Sequence, residues 1–169
     1  KGRGAVSFAL SGVPVRAVVA GGRARVRMPD APAPKTVRTA LGPAVFVDTG
    51  VPHAVRRVKA LESFDVAGQG RRLRSDRAFG RAGANADFIE LGRGAVAIRT
   101  YERGVEAETL ACGTGAVAAA LASGRPSPVR VDALGGRLTV SFARRKDGGF
   151  TDVWLEGPVR QVFTGEVTL

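Results

Sequence analysis

The 169 residues carry a formal net charge of +11, from 26 Lys and Arg against 15 Asp and Glu, and 44% of them are hydrophobic. This balance is typical of a folded globular protein, and no apolar run approaches the ~20 residues that a membrane helix needs. One cysteine, Cys112, and one histidine, His53, exclude an intramolecular disulfide and a multi-cysteine metal site.

The first third of the chain is predicted to form strands. Short apolar runs with partial alternation indicate strands at 6–10, 13–20 and 23–28. Gly21-Gly22 between the last two is typical of a hairpin turn. The proline-rich stretch 29–34 interrupts regular structure and is interpreted as a linker.

The middle of the chain continues with strands and one short helix. Strands are predicted at 44–47, 54–58, 86–91 and 95–101. A helix is predicted at 64–73, although Gly68 and Gly70 lower its helix propensity.

An alanine-rich segment then changes the pattern. Residues 113–123 are apolar on nearly all sides and are followed by Gly124 and Pro126, which predicts a buried helix. Further strands are predicted at 129–133, 137–142, 151–155 and 159–163. This order favours the α+β class, with a mostly antiparallel sheet curled around one central apolar helix.

The basic charge does not by itself indicate a nucleic-acid partner. The densest basic stretch holds one aromatic residue, Phe79, so it offers few surfaces on which bases could stack. We interpret it as a solvated face and expect no nucleic-acid or membrane partner. Its arginines are Arg71, Arg72, Arg74, Arg77 and Arg81.

The segment around Cys112 carries the clearest chemistry. A thiol immediately before a helix faces unpaired backbone N–H groups and the positive end of the helix dipole, which predicts a stabilised thiolate. Gly113 and Thr114 add backbone N–H groups that can hold an anion. Upstream, Glu102 and Arg103 form a charged pair at the end of a strand, and the arginine can grip a carboxylate. A small buried cysteine at a helix start is the alternative reading.

The wider pattern resembles the diaminopimelate epimerase family. The run YERGVEAETLACGTGA at 101–116 is similar to the second catalytic motif of that family. DTGVPHAV at 48–55 resembles its Gly-x-Pro-His turn, and GANADF at 83–88 resembles its Gly-x-Asn-x-x-Phe segment. The resemblance covers nearly the whole chain.

The resemblance implies a set of roles. Two cysteines on opposite faces of the substrate exchange the α-proton without pyridoxal cofactor or metal, and Cys112 matches one of them. Gly113 and Thr114 match residues that bind the α-carboxylate of a small amino-acid substrate. The other matched residues bind its distal end or tune the cysteine: Asn85, Glu102 and Arg103 for binding, His53 and Glu102 for tuning.

Two departures from the family pattern stand out. Val51 occupies a position where many members have asparagine, which removes one polar contact. The family's first Cys-Gly-Asn-Gly motif is absent, so the resemblance implies that residues 1–28 are the tail of an N-terminal domain missing from this chain. Residues 29–158 then form the catalytic domain, and residues 159–169 a strand that returns to the missing half. We therefore expect this chain alone to be inactive.

The expected activity is epimerisation of L,L-diaminopimelate to the meso form, in lysine and peptidoglycan precursor synthesis. A related cysteine-dependent racemase or isomerase, proline-racemase-like or phenazine-type, is one alternative. An inactive basic module that binds nucleic acid is another. The reduced thiol and the lack of a recognisable signal peptide lead us to expect a cytoplasmic protein, and a homodimer is a further expectation.

Overall fold

The structure, a computed structural model, describes residues 4–10 and 13–166. Twelve strands and two α-helices lie in these ranges. The strands are β1 (Gly4–Leu10), β2 (Val13–Ala20), β3 (Arg23–Arg27), β4 (Lys35–Thr39), β5 (Gly42–Asp48), β6 (Pro52–Arg57), β7 (Asn85–Leu91), β8 (Val96–Glu102), β9 (Ala107–Thr109), β10 (Val129–Ala133), β11 (Gly136–Arg144) and β12 (Phe150–Pro158). The helices are α1 (Val66–Arg74) and α2 (Gly113–Ala122).

The described strands form one sheet. Its order is β1-β2-β3-β12-β11-β10-β8-β7-β6-β5-β4, with β9 beside β8 off this path. Only β6 with β7 and β8 with β10 run parallel among the described pairs. The prediction of a mostly antiparallel sheet is confirmed.

Strands β6, β7 and β8 are covered on both faces. Since alternate residues of a strand point to opposite sides, each of these strands contributes side chains to two cores. One face packs into a core around α1; its strand residues include Ala54, Phe88 and Tyr101. The other face packs into a core around α2; its strand residues include Val55, Ile89 and Ile98. The three strands thus form the centre of a helix–sheet–helix arrangement.

Helix α2 is buried on all sides. Every residue from Gly115 to Leu121 is buried, and the helix contacts β5, β6, β7, β8, β10, β11 and β12. Gly124 follows the helix with a φ of 76°, a backbone conformation that residues other than glycine rarely adopt. Across the described residues, no helix has the length and apolarity to cross a membrane.

Two strands were not predicted from the sequence. Strand β4 lies at an end of the sheet and is largely polar, and β9 has only three residues, so neither shows an apolar pattern.

The interpretation of 29–34 as a linker is wrong at Ala31. This residue is buried, and its backbone forms two hydrogen bonds with that of Phe150.

The strand predicted at 159–163 is also wrong. Strand β12 ends at Pro158, and no regular structure follows up to residue 166; residues 167–169 lie outside the described part. Val162 and Phe163 are 80% and 85% exposed, so no described strand packs against them. The predicted division at residues 28 and 158 stays a prediction.

Strand β1 forms one end of the sheet and pairs only with β2 among the described strands. Val6 and Phe8 of this strand are each about half exposed. This end of the sheet therefore presents apolar side chains to solvent.

Replacement of Gly70 by alanine tests the packing between α1 and β8. A Cβ atom at Gly70 would clash with Cβ of Tyr101. Alanine favours the helix by about 1 kcal/mol, but overpacking costs about 1–3 kcal/mol, so we expect the clash to prevail. The free energy of unfolding in urea should fall by about 1–2 kcal/mol.

Gly94→Ala is the control, because a Cβ atom there meets nothing within 4 Å. It should change the free energy of unfolding by less than about 0.5 kcal/mol. A Gly70→Ala variant as stable as the wild type would contradict the close packing.

Candidate functional site

Cys112 lies at the start of α2 as its N-terminal cap. Its Sγ accepts a hydrogen bond from the backbone N–H of Gly115 at 3.4 Å, and it lies 3.4 Å from Oγ1 of Thr114. The sulfur thus takes the place that an Asp or Ser oxygen usually takes at a helix N-terminus. The residue is half-buried, so the thiol lies at a boundary between core and solvent.

The predicted low pKa of Cys112 is wrong for this structure. Burial, the largest cause, raises the pKa of the thiol to about 11, because desolvation disfavours the charged form. Hydrogen bonds from Thr114 and Gly115 oppose the rise, but the carboxylates of Asp87 and Glu102 add to it. The helix N-terminus therefore does not suffice to make a thiolate here.

Gly113 and Thr114 form the first turn of α2. Among the described residues, neither backbone N–H group makes a hydrogen bond, as expected for the first amides of a helix. Gly113 also lies close to the core, since a Cβ atom there would be 3.2 Å from Cδ2 of Leu155. Two unpaired donors thus lie directly beside the thiol.

His53 is fully buried and bonded to a second fully buried group. Its Nδ1 lies 2.7 Å from Oδ2 of Asp87, and both side chains are 0% exposed. Thr100 donates from Oγ1 to the other oxygen, Oδ1, at 2.8 Å. His53 therefore belongs to a buried polar cluster with Asp87 and Thr100.

Strand register explains this cluster. His53 pairs with Asn85, and Asp87 pairs with Thr100, so all four side chains share the sheet face that packs on α2. Further along the same face, the side chains are the apolar ones of the α2 core. The face is thus polar beneath the start of α2 and apolar beneath its body.

Asn85 joins the cluster to the turn after β8. Its Oδ1 accepts a hydrogen bond from the backbone N–H of Arg103 at 2.9 Å. Its Nδ2 lies 3.3 Å from the carbonyl oxygen of Pro52 and 3.5 Å from Nε2 of His53. The amide side chain is therefore held at both ends rather than free to meet a ligand.

Glu102 and Arg103 lie where β8 ends. Glu102 accepts a hydrogen bond from Oγ1 of Thr109, so its carboxylate is tied to β9. Arg103 is half-buried, and its guanidinium makes no hydrogen bond with the residues described here.

Two ion pairs hold the loop that connects this turn to Cys112. Glu106 accepts hydrogen bonds from Nε of Arg74 and from the backbone N–H of Gly104. Arg99 forms a two-point contact with Glu108, at 2.6 and 2.7 Å. The position of Arg103 therefore depends on contacts on both sides of the turn.

A cleft of about 700 Å³ opens beside Thr114. Its lining includes Gly50, Val51, Met28 and Pro29. Its walls are mainly apolar, and Val51 adds no hydrogen-bonding group where the resemblance leads us to expect asparagine. The cleft connects the start of α2 to the surface.

Asp87 and Thr100 were missed in the sequence. The signal was present, because Asp87 is a charged residue inside an apolar strand, between Ala86 and Phe88. Such a residue is seldom buried without a specific partner. Within the described ranges, no three His, Cys, Asp or Glu side chains group as metal ligands.

The solved structures that share this fold are distant in sequence. A probable proline racemase from Agrobacterium radiobacter superposes with a TM-score of 0.71 at 16% identity, over 99% of this chain and 61% of its own. A phenazine biosynthesis protein from Bacillus anthracis gives 0.64 at 14% identity, over 95% and 68%. Likeness at this identity shows the fold alone.

Sequence comparison is more specific. The chain is 46% identical to the diaminopimelate epimerase of Chlorobaculum tepidum over 131 residues, which cover 73% of this chain and 49% of the relative. It is 38% identical to that of Gemmatimonas aurantiaca, over 98% of this chain and 63% of the relative. The chain thus spans about half the length of the first of these relatives. The sequence pattern described as diaminopimelate epimerase matches residues 45–160, and the chain therefore belongs to this family.

Proposed function

We propose that this chain carries one half of the active site of a cofactor-independent epimerase that converts L,L-diaminopimelate to the meso form. The observation that carries the proposal is the thiol of Cys112 beside the two unpaired amides of Gly113 and Thr114. A carboxylate held on these amides has its α-carbon near the sulfur. The names of the relatives supply the substrate.

In this proposal the raised pKa assigns the resting state of Cys112. With a pKa of about 11, the thiol is protonated at neutral pH, so Cys112 starts as the proton donor. The partner thiol starts as the thiolate that removes the α-proton from the opposite face. After turnover the two groups have exchanged roles, and Cys112 is the base for the reverse direction.

The first turn of α2 stabilises the intermediate. Removal of the α-proton places negative charge on the α-carbon and its carboxylate. The unpaired amides and the positive end of the helix act on this charge without rearranging, which is how preorganised donors lower a barrier.

The distal end of the substrate meets the turn after β8 in this proposal. The guanidinium of Arg103 offers two parallel donors to the second carboxylate. Glu102 is available for the second ammonium group. Asn85 acts mainly by holding the Arg103 amide, because its own oxygen is already bonded there.

The second thiol has to come from outside these residues, since Cys112 is the only cysteine of the chain. We propose that it lies on the N-terminal half that the family resemblance implies. The curl of the sheet around α2 and a homodimer belong to the same proposal. So does a cytoplasmic location, where a catalytic thiol stays reduced.

A proline-racemase-like or phenazine-type reaction is the second candidate. Val51 favours keeping it, because it places an apolar side chain in the cleft beside Thr114. The distant solved structures fit it only as relatives in fold. A panel with diaminopimelate and proline, each assayed for α-proton exchange, distinguishes the two.

Replacement of Cys112 tests the proposed function. In the intact gene product, Cys112→Ala should abolish exchange of the α-proton of diaminopimelate with deuterium from solvent, measured by proton NMR. Leu91→Ala, at the partly exposed end of β7, is the control and should exchange like the wild type. Exchange that survives in Cys112→Ala would refute the assignment.

Alkylation tests the protonation state of Cys112 without any substrate. Only the thiolate reacts with iodoacetamide, so the rate should rise about tenfold per pH unit up to a pKa of about 11. At pH 8 the folded chain should react about 10- to 100-fold more slowly than the urea-unfolded chain. The pKa of the folded thiol is about two units higher, so its thiolate is about 100-fold scarcer than that of the unfolded chain. The folded thiolate is the stronger nucleophile, which recovers only part of this loss.

The single cysteine makes this measurement unambiguous. A folded chain that reacts faster than the unfolded one at pH 8 would show a stabilised thiolate instead.

Intact mass tests the origin of the second thiol. We expect the protein purified in active form from its native source to exceed 17.5 kDa, or to copurify with a second chain that bears a cysteine. Active material that consists of a 17.5 kDa chain alone would contradict a second thiol on an N-terminal half.

A further inference from the structure

We infer that Asp87 is a positioning residue, which fixes His53 in a single tautomer and, through His53 and Asn85, holds the turn that carries Arg103. The single tautomer and the fixed turn follow from the contacts of the described residues. The effect of Asp87 on turnover rests on the proposed function.

The burial of Asp87 calls for a specific role. Its side chain is 0% exposed and accepts hydrogen bonds only from His53 and Thr100 among the described residues. An ionised carboxylate without full compensation is costly in a core, and an apolar residue of the same size would avoid that cost. We therefore infer that Asp87 is buried because it holds its partners, His53 and Thr100, in place.

The direction of the hydrogen bonds is set at both ends of the chain of contacts. The backbone N–H of Arg103 can only donate, so the Asn85 atom that faces it is the oxygen. The amide nitrogen of Asn85 then faces Nε2 of His53, which has to accept. Nδ1 of His53 therefore carries the proton and donates it to the carboxylate of Asp87.

The same carboxylate packs under the helix that carries Cys112. A Cβ atom at Gly115 would lie 2.8 Å from Oδ1 of Asp87 and 3.2 Å from Oγ1 of Thr100. Glycine at this position lets the start of α2 descend onto the buried cluster. Asp87 thus contacts two parts of the site at once, namely the first turn of α2 and the His53 ring.

The position of Asp87 also fits a role in the turn after β8. Asn85 and Asp87 point to the same face of β7, two residues apart, and His53 spans the space between their side chains. Loss of the Asp87 carboxylate frees the ring to turn, which leaves the Asn85 amide without its neighbour. The Arg103 amide then loses its fixed acceptor.

Nitrogen-15 NMR of the whole chain tests the tautomer directly, because His53 is its only histidine. We expect long-range proton–nitrogen correlations of the neutral ring to show a protonated Nδ1 and an unprotonated Nε2. In Asp87→Asn the two nitrogens should shift toward averaged values, and the backbone amide of Arg103 should shift with them. Asp87→Ser, smaller and also neutral, is measured if the asparagine variant does not fold.

Asp76→Asn is the matched control. Asp76 is also a buried carboxylate, but it accepts from the backbone N–H groups of Ala40 and Ala78, away from His53. The His53 and Arg103 signals should stay as in the wild type. A neutral wild-type ring that is protonated at Nε2 or in mixed form would overturn the inference, and so would an unchanged tautomer in the Asp87 variants.

Turnover separates this inference from the proposed function. In the active protein, Asp87→Asn should lower kcat/KM for α-proton exchange by about 10- to 100-fold, as expected when a ring that orients a site is released. Asp76→Asn should lower kcat/KM by less than about twofold, because Asp76 bonds to Ala40 and Ala78 and shares no partner with His53. Equal activity of Asp87→Asn and the wild type would refute the positioning role and leave the proposed function standing. An inactive wild type with the expected tautomer would do the reverse.

Discussion

The two-sided burial of β6, β7 and β8 is the constraint on which the remaining architecture depends. Three adjacent strands pack against α1 on one face and α2 on the other, so the side chains between these layers are largely shielded from water. A polar side chain buried between these layers then has to find its partners within the protein. Register decides which partners are available, so the polar groups of the site are fixed by the same pairing that builds the core.

That constraint gives the site its two unlike parts. The buried part, with Asp87 and His53 at its centre, is closed to solvent and has few degrees of freedom. The open part, at Cys112 and the first turn of α2, has free donors and a cleft beside it. Gly115 joins them, since only a residue without a side chain lets the helix approach the carboxylate this closely. A rigid buried cluster thus supports an accessible thiol, and functional sites depend on support of this kind.

Much of this could be predicted from the sequence, and the failures have physical reasons. The runs at 13–20, 129–133 and 113–123 were found within a residue or so of the observed elements, because apolar pattern and glycine turns mark them. Strand β4 was missed because an end strand with polar residues carries no pattern, and the strand at 159–163 was wrong because its apolar residues have no strand to pair with. The motif located Cys112 but not its pKa, since desolvation is set by the packing of distant segments. Asp87 was missed although its place inside an apolar run is a signal, and its partners on β6 and β8 could not be predicted without the strand register.

The exposed end of the sheet at β1 has a bearing on how this polypeptide behaves in solution. Along the described residues of that strand, backbone groups on the outer side have no partner strand, and Val6 and Phe8, which point to one face of the strand, are about half exposed. Such an edge is a template for self-association between copies. The net charge of +11 opposes this encounter by repulsion that salt screens over about 10 Å. Association between copies is thus a balance between edge pairing and like-charge repulsion, and higher ionic strength weakens the repulsion.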